Sequence, residues 1–207
     1  MKFPALCLFL IALPLPLLGE NSLDAFSEYD LLIRGQQRDE FFGLRLTTGD
    51  INSDGMDDII ACSRFFDPPE RLRAGAVRIF WGRNFPRLEG DRLITDRTPA
   101  DLTIVGAQAE DRLGISLQSA QTLVAVGDIN GDGMPDLLIG APHSSPLGRP
   151  RAGAIYLFYG RIQYPPIWDL SQTPADVLIA GGSPGAGLGS ALCTGDLNGD
   201  GQEELIA

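Results

Sequence analysis

The amino-acid sequence predicts an all-β protein, a partial (incomplete) β-propeller built of four-stranded antiparallel blades. Three observations predict this fold. Short runs of Ile, Val, Leu, Phe and Tyr are bounded by Gly, Pro and Asp, as β-strands are. Beyond the N-terminal apolar stretch, no window has a sustained helical period of apolar residues. Four such runs recur in each unit of about 70 residues. Because a lone four-stranded sheet would leave an apolar face exposed, neighbouring sheets are expected to stack face to face.

The composition fits a folded chain of short strands and tight turns. Gly and Pro account for 25 and 15 of the 207 residues, well above average usage. Hydrophobic residues make up 44%, which supplies a core and argues against intrinsic disorder despite a formal net charge of -11. Such an acidic chain lacks the basic surface that nucleic-acid binding needs. A single His and three Cys disfavour His-based catalysis and a His/Cys metal site.

The N-terminus, residues 1–19, has the form of a secretory signal peptide. Lys2 supplies a short positive region, and Leu6–Leu18 is an apolar stretch broken by two prolines and too short to span a membrane. Small Gly19 precedes a polar segment, which predicts cleavage there. An uncleaved anchor or a buried strand is the alternative. The mature chain is therefore expected to be secreted and extracellular, or periplasmic if the source is bacterial, with residues 20–29 as a linker.

Cys62 and Cys193 both lie in apolar, strand-like runs. Export permits a disulfide, but two distant cysteines make a poor disulfide framework. We expect buried free thiols rather than a bridge.

Internal repeats organise the rest of the chain. The segment Ala74–Arg83 (AGAVRIFWGR) returns 78 positions later as AGAIYLFYGR, and Gly49–Ile60 (GDINSDGMDDII) returns at the same shift as GDINGDGMPDLL. The second segment occurs a third time at Gly195–Ile206 as GDLNGDGQEELI. These matches place three repeats at about residues 30–100, 101–174 and 175–207, which together form the predicted propeller segment 30–207.

The recurring apolar runs predict the strands in chain order: two whole blades, an N-terminal strand and a C-terminal half-blade. The N-terminal strand, Asp30–Gly35, is predicted to be an isolated outer strand. Blade one comprises Gly43–Thr48, Asp58–Ser63, Gly75–Trp81 and Asp101–Gly106. Blade two comprises Leu113–Val126 with an insertion, Asp136–Ala141, Gly153–Tyr159 and Asp176–Ala180, and the half-blade comprises Leu188–Cys193 and Glu204–Ala207. The segments 84–100 and 162–175 are expected to cross between the last two strands of each blade.

Three acidic loops share the pattern D-x-N-x-D-G-x-x-[DE], and they hold the candidate metal ligands. Side-chain oxygens at positions 1, 3 and 5 can converge if the backbone curls tightly, and Gly at position 6 permits the positive φ that this curl needs. The carbonyl of position 7 can then face inward, and the carboxylate at position 9 closes the shell. The candidate ligands are Asp50, Asn52, Asp54, Met56 and Asp58 in loop one, Asp128, Asn130, Asp132, Met134 and Asp136 in loop two, and Asp196, Asn198, Asp200, Gln202 and Glu204 in loop three.

This donor set predicts Ca²⁺ at up to three sites. All donors are hard oxygens, which suits calcium better than magnesium, and the loops contain no His or Cys for zinc or copper. An EF-hand needs a Glu at position 12, where this chain has Ala61, Ile139 or Ala207. Ion-free hairpin turns would account for one such loop, but three in register favour cation sites. The third loop departs most, because Glu204 replaces Asp.

The apolar-Gly step (Phe42-Gly43, Leu113-Gly114, Leu188-Gly189), the acidic loop and Gly140-Ala141-Pro142 together resemble the FG-GAP repeats of integrin alpha-subunit N-terminal β-propellers. The resemblance covers Asp30–Ala207 and is strongest in repeat two. It implies that the loops bind structural calcium through the ligands named above, on the face opposite the ligand-binding face. Such propellers usually close with seven blades, so we expect a fragment, a truncated product or an open array completed by association.

Two functional classes follow. The first is an exported calcium-binding protein acting as a non-catalytic extracellular interaction or adhesion module, in which Ca²⁺ makes the hairpin loops rigid. Its expected partners are a protein or glycan ligand and a second copy bound through open blade edges, with no nucleic acid and no membrane span. The alternative is an accessory propeller fragment of a secreted hydrolase such as a phospholipase-like enzyme. No catalytic or cofactor-binding residue is predicted, since the G-x-S-x-G match at Gly181–Gly185 lacks a following helix and a downstream His.

Overall fold

The structure, a computed structural model, describes residues 7–10, 31–35, 37, 39–84, 99–114 and 123–207. Within these residues the chain is all-β, with two short 3-10 turns and no α-helix. The strands, in chain order, are β1 (Cys7–Leu10), β2 (Leu31–Arg34), β3 (Phe42–Gly49), β4 (Asp58–Ser63), β5 (Ala76–Phe80), β6 (Leu102–Val105), β7 (Val124–Gly127), β8 (Asp136–Ala141), β9 (Ala154–Phe158), β10 (Ile167–Asp169), β11 (Val177–Ala180), β12 (Cys193–Gly195) and β13 (Glu204–Ile206).

The strands form two main sheets and two hairpins, which is the arrangement of part of a β-propeller. Blade one has the order β10-β6-β5-β4-β3 and blade two the order β11-β9-β8-β7. The remaining pairs are β1-β2 and β12-β13, both antiparallel. Except for β10, the strands within each blade pair antiparallel in the predicted order. The sequence prediction of two whole blades and a C-terminal half-blade is confirmed.

The two blades pack face to face around the main hydrophobic core. All six residues of β4 are buried, and successive side chains alternate between two cores because a strand has a period of two. Ile60 and Cys62 face blade two, whereas Ile59 and Ala61 face the opposite side. Ile139 of blade two joins the same inter-blade core. This double burial explains why the middle strands are continuous apolar runs.

The outer faces of both blades are also covered. Phe42 and Phe80 pack at 6.3 Å between ring centroids on the outer face of blade one, beside the buried Ile33 of β2. Leu138 and Ile155 form a third core on the outer face of blade two, against half-buried apolar residues from the third repeat. Each sheet therefore buries both faces only because a neighbour lies on each side, as stacked blades require.

The strand β10 was not predicted. The segment 162–175 was expected only to cross between strands, but Ile167–Asp169 pairs in parallel with β6 of the preceding blade. Trp168 is buried and meets the Phe158 ring edge-on at 5.1 Å, which anchors the segment in the inter-blade core. Arg71 of blade one binds the Asp169 carboxylate, with one contact at 2.7 Å. The corresponding segment of repeat one, residues 85–98, lies outside the described residues.

Two predicted strands differ in extent. Leu113 and Gly114 form a turn and β7 begins at Val124, while residues 115–122 lie outside the described part of the chain. In the third repeat the strand is Cys193–Gly195 rather than Leu188–Cys193. Gly187 and Gly189 have φ of 66° and 84°, which turns the chain before a strand can start. Cys193 is consequently exposed on a two-stranded hairpin, so the expectation of a buried thiol was wrong there, whereas Cys62 is buried and both thiols are free.

The N-terminal strand β2 was expected to be an isolated outer strand, but it pairs with β1 and packs against blade one. Ile33 is fully buried against blade one, while β2 pairs with β1 from Cys7↔Arg34 to Leu10↔Leu31. The pairing satisfies backbone groups that an edge strand leaves open. The cleavage position near Gly19 and the linker 20–29 lie outside the described residues, so both stay predictions. None of the helical turns within the described ranges has the length and apolar character to cross a bilayer.

Candidate metal centre

The three acidic loops lie at the same end of the stacked sheets. Loop one joins β3 to β4, loop two joins β7 to β8, and loop three joins β12 to β13. Loops two and three are in contact, because the Glu203 backbone N–H donates to the Asp128 carbonyl at 3.0 Å and the Thr194 hydroxyl donates to the Val126 carbonyl at 3.1 Å. The repeats therefore bring their acidic loops side by side on one face.

The first Asp of each loop produces the predicted tight curl. In loop one, Asp50 Oδ1 accepts from the Asp54 N–H at 2.9 Å and Oδ2 accepts from the Gly55 N–H at 2.8 Å. Loops two and three repeat the contact to position 6, at 2.8 Å and 2.9 Å. The position-6 glycines have φ between 84° and 90°, as the sequence predicted: Gly55, Gly133 and Gly201.

The residue at position 4 also takes positive φ, which was not predicted from the sequence. Gly131 and Gly199 have φ of 73° and 77°, and Ser53 adopts 56° in the corresponding place. The available signal was the Gly at position 4 in two of the three loops. Ser53 occupies a backbone conformation that glycine adopts at lower cost.

The Asn and second Asp of each loop also accept from backbone N–H groups of the loop. In loop one, the Asp54 N–H donates both to Asp50 Oδ1 at 2.9 Å and to Asn52 Oδ1 at 3.0 Å, so these two oxygens lie close together. The second Asp accepts from the N–H of position 7 at 2.8–3.1 Å in all three loops. The loops therefore gather the oxygens of positions 1 and 3 around one backbone N–H.

The carboxylate at position 9 is buried in loops one and two, where it bridges separate parts of its blade. Asp58 Oδ2 accepts from the Ile51 N–H at 3.0 Å, and its Oδ1 accepts from the Gly82 N–H at 2.9 Å. Asp136 makes the same pair of contacts, to Ile129 at 3.0 Å and Gly160 at 2.8 Å. In loop three Glu204 reaches back to the Leu197 N–H at 2.7 Å. In loops one and two, the position-9 carboxylate therefore connects the start of its loop to the turn that follows the third strand of the blade.

Gly82 and Gly160 complete this arrangement, and the sequence analysis did not assign them a role. A Cβ at Gly82 would lie 2.3 Å from the Asp57 carbonyl oxygen, and one at Gly160 would lie 2.7 Å from the Pro135 carbonyl oxygen. Both glycines occur in the repeated segments ending FWGR and FYGR. The repetition of these two segments was the signal in the sequence that could have pointed to the glycines. Their contacts to the acidic loops join residues 24 positions apart, which no local sequence pattern predicts.

Burial raises the pKa of the position-9 carboxylates in loops one and two. Burial raises the pKa of Asp58 to about 6, against the opposing effect of its two backbone N–H bonds, and the negative charges of Asp54 and Asp50 raise it further. Burial likewise raises the pKa of Asp136, with the charge of Asp132 acting in the same direction. On the exposed third loop, the N–H groups of Gly201 and Gly199 instead lower the pKa of Asp196. A cation in the first two loops would favour the ionised carboxylates.

The donor chemistry of the loops fits a hard divalent cation. Among the described residues, which include all three loops, no three His, Cys, Asp or Glu side chains converge as an assembled metal site. Asp54 Oδ2 is nevertheless buried without a hydrogen-bond partner, and the nearby cation of Arg83 has its Nε 3.5 Å away. Carboxylate oxygens have two lone pairs, so those already bonded to N–H groups retain one for a metal. The inward-facing carbonyls of Met56, Met134 and Gln202 stay a prediction.

Comparison with known proteins places this arrangement in a family. Residues 120–158, which span loop two with β8 and β9, match the FG-GAP repeat. The chain carries an FG-GAP repeat. This match confirms the resemblance to FG-GAP repeats, which is strongest in repeat two. Loops one and three share the hydrogen-bond pattern of loop two.

The FG-GAP chain is similar to integrin alpha subunits and to a phospholipase. It is 29% identical over 174 residues to integrin alpha-PS2 of Drosophila melanogaster, covering 84% of this chain and 12% of that protein. It is 33% identical over 141 residues to integrin alpha-5 of Xenopus laevis, covering 68% of this chain and 12% of that protein. It is 31% identical over 166 residues to phosphatidylinositol-glycan-specific phospholipase D of Bos taurus, covering 79% of this chain and 18% of that protein. The chain spans less than a fifth of each relative.

Proposed function

We propose that this FG-GAP chain is a calcium-stabilised, non-catalytic interaction module that acts outside the cell. The observation that carries the proposal is the shared curl of the three acidic loops, in which the side-chain oxygens of positions 1 and 3 accept from one backbone N–H in every loop. The ligands would be the oxygens of positions 1, 3, 5 and 9 and the carbonyl of position 7. Bound calcium would supply positive charge that offsets the crowded carboxylates.

The stabilising role follows from where the loops lie in the blades. Asp58 and Asp136 each connect the first-to-second strand loop with the turn after the third strand. An ion held by the same loop would restrain three strands of the blade together. The loops at the opposite end of the blades would then present a rigid surface to a protein or glycan ligand, in an adhesive role. The integrin alpha relatives support that reading.

Calcium should therefore raise the thermal stability of the purified chain. At about 1 mM calcium and a dissociation constant of about 0.1 mM, each site would add roughly 1.4 kcal/mol to the free energy of unfolding. Differential scanning calorimetry in calcium and in excess chelator measures this difference. An unchanged melting temperature after chelation contradicts the proposal.

Asp132→Ala should lower the calcium stoichiometry by about one, because it removes the position-5 ligand of loop two. Asp57→Asn is the matched control, since Asp57 lies in loop one at a position outside the ligand pattern. Isothermal titration calorimetry gives the number of ions bound by each variant. Equal stoichiometry for wild type and Asp132→Ala would remove Asp132 from the ligand set.

A second candidate is an accessory segment of a secreted hydrolase. The 31% identity to phosphatidylinositol-glycan-specific phospholipase D favours it. The sequence of the adjoining coding region distinguishes the two candidates, since only the second predicts a catalytic domain in the same polypeptide. Export is common to both, and N-terminal sequencing of the secreted product should begin at Glu20 if the signal peptide is cleaved after Gly19.

A further inference from the structure

A polar cavity lies at the end of the blades opposite the acidic loops. The loops after β4, β6 and β8 meet there, because each antiparallel strand carries the chain to the other end of its sheet. The cavity has a volume of about 320 Å³ and lies between the second and third of these loops. Its lining includes Gln108, Glu110, Asp111, Arg112, His143 and Arg151.

Four arginine side chains cluster around this cavity although the chain as a whole carries -11. The guanidinium carbons of Arg64, Arg73 and Arg112 lie 4.4, 5.3 and 5.8 Å from the centroid of the Phe65 ring. Such cation–π contacts hold the three arginines in one cluster. Arg151 approaches from another loop, with its Nη2 3.2 Å from His143 Nδ1.

The ion pairs described at this end of the blades involve only two of the four arginines. Glu110 pairs with Arg112 at 2.6 Å and with Arg73 at 3.2 Å. Within the described part of the chain, neither Arg64 nor Arg151 forms an ion pair with a carboxylate, and Arg64 Nε is buried without a hydrogen-bond partner. Asp67 accepts from the Arg73 backbone N–H at 2.6 Å, and Glu70 is exposed on the same loop.

The arginine cluster acts on the protonation of His143. Burial lowers the pKa of His143, and the positive charges of Arg112, Arg151 and Arg64 lower it further. Burial also lowers the pKa of Arg64, and the positive charges of Arg112 and Arg73 lower it further. Asp111, on the cavity wall, is itself buried, which raises its pKa to about 6. A bound anion would offset the repulsion among these cations.

We propose that this cavity binds a sulfate ester group of a glycan, held by Arg112, Arg151 and His143. Arg112 donates from its Nε and one Nη to Glu110, and Arg151 donates from one Nη to His143. The remaining N–H groups of both guanidinium groups can donate to a ligand with three terminal oxygens. A sulfate ester carries one negative charge, whereas a phosphate monoester carries about 1.5 to 2. The carboxylates of Glu110 and Asp111 on the wall therefore favour sulfate. The site needs no calcium, because the acidic loops lie at the other end.

The single His of the chain gives a direct test. Its imidazole signals can be followed by NMR across a pH titration of the full chain, in sodium methyl sulfate, a singly charged sulfate ester, and in sodium chloride of equal ionic strength. Bound sulfate should raise the pKa of His143, because the anion favours the imidazolium form. Superimposable titration curves in the two salts would overturn the proposal.

Two variants and two small ligands complete the test. Arg151→Gln should weaken sulfate binding about tenfold or more, since it removes a charge-assisted donor. Arg149→Gln, from the same loop but outside the cavity lining, should leave binding unchanged. An equal loss in both variants would contradict a built site. Glucose 6-sulfate should bind more tightly than phosphoserine, and the reverse order would overturn the choice of a sulfated glycan.

Discussion

Replacing Glu40 by Gln removes one half of a buried ion pair in blade one. Arg78, in the middle of β5, is 1% exposed and its Nη2 donates to Glu40 Oε2 at 2.8 Å, while Glu40 is 2% exposed. Arg78 also donates to the Ser63 hydroxyl at 3.0 Å, and its guanidinium carbon lies 4.9 Å from the centroid of the Phe66 ring. The substitution would leave the Arg78 charge buried without its counter-ion.

The burial of the Glu40–Arg78 pair determines how much stability the substitution removes. Removing one partner of a buried ion pair costs about 3–5 kcal/mol, and a chain of this length loses roughly 2–4 °C in melting temperature per kcal/mol. Gln keeps the length of the side chain and one acceptor oxygen, so we expect a loss near the lower limit. Glu40→Gln should therefore lower the free energy of unfolding by about 3 kcal/mol and the melting temperature by roughly 6–12 °C.

Urea unfolding at pH 7 and calorimetry measure these changes. The double variant Glu40→Leu/Arg78→Met removes both charges and should be closer to wild type than the single variant, because apolar groups of similar volume replace a buried pair at little net cost. Glu110→Gln breaks the pairs with Arg73 at 3.2 Å and with Arg112 at 2.6 Å, in which the carboxylate side chain is 45% accessible, and should cost about 1 kcal/mol. If Glu40→Gln costs no more than Glu110→Gln, the burial argument is refuted.

Two further predictions concern Asp111 and Gly82. Burial raises the pKa of Asp111 to about 6, so the folded chain holds that proton more tightly than the unfolded chain and stability falls as pH rises from about 4 to about 6. In urea unfolding with chelator present, Asp111→Asn should reduce this pH-dependent loss of unfolding free energy by up to about 3 kcal/mol. The exposed control Glu70→Gln should leave the pH dependence unchanged. Parallel curves of unfolding free energy against pH for Asp111→Asn and wild type would contradict the assignment. Gly82→Ala should destabilise the chain by about 1–3 kcal/mol and weaken calcium binding, because its Cβ would lie 2.3 Å from the Asp57 carbonyl oxygen. Gly182→Ala, with no atom within 4 Å of its Cβ, should be close to neutral by the same calorimetry.

Local patterns in the sequence predicted most of the blade architecture and the shape of the acidic loops. The repeated apolar runs correspond to β3–β6 and to β8, β9 and β11, because strand period and turn residues are properties of neighbouring positions. The positive φ of Gly55 and its equivalents followed from position 6 of one short motif. These features needed no knowledge of which segments meet in space.

The features that the sequence did not predict depend on long-range contacts. The strand β10 has only three residues in a Pro-containing segment, and its pairing with β6 depends on Trp168 reaching the inter-blade core. Gly82 meets Asp58 across 24 positions. The cluster of Arg64, Arg112 and Arg151 combines three loops, none of which is basic enough by itself to predict an anion site.

The strand β10 affects the order in which the repeats can be completed during synthesis. Its residues belong to the second repeat, yet they cover the outer edge of the sheet formed by the first. The edge of β6 therefore stays open on the ribosome until residue 169 has left the exit tunnel, more than 60 residues after β6 itself. A nascent chain paused between these points would offer the β6 edge without its β10 partner to chaperones or to other nascent chains.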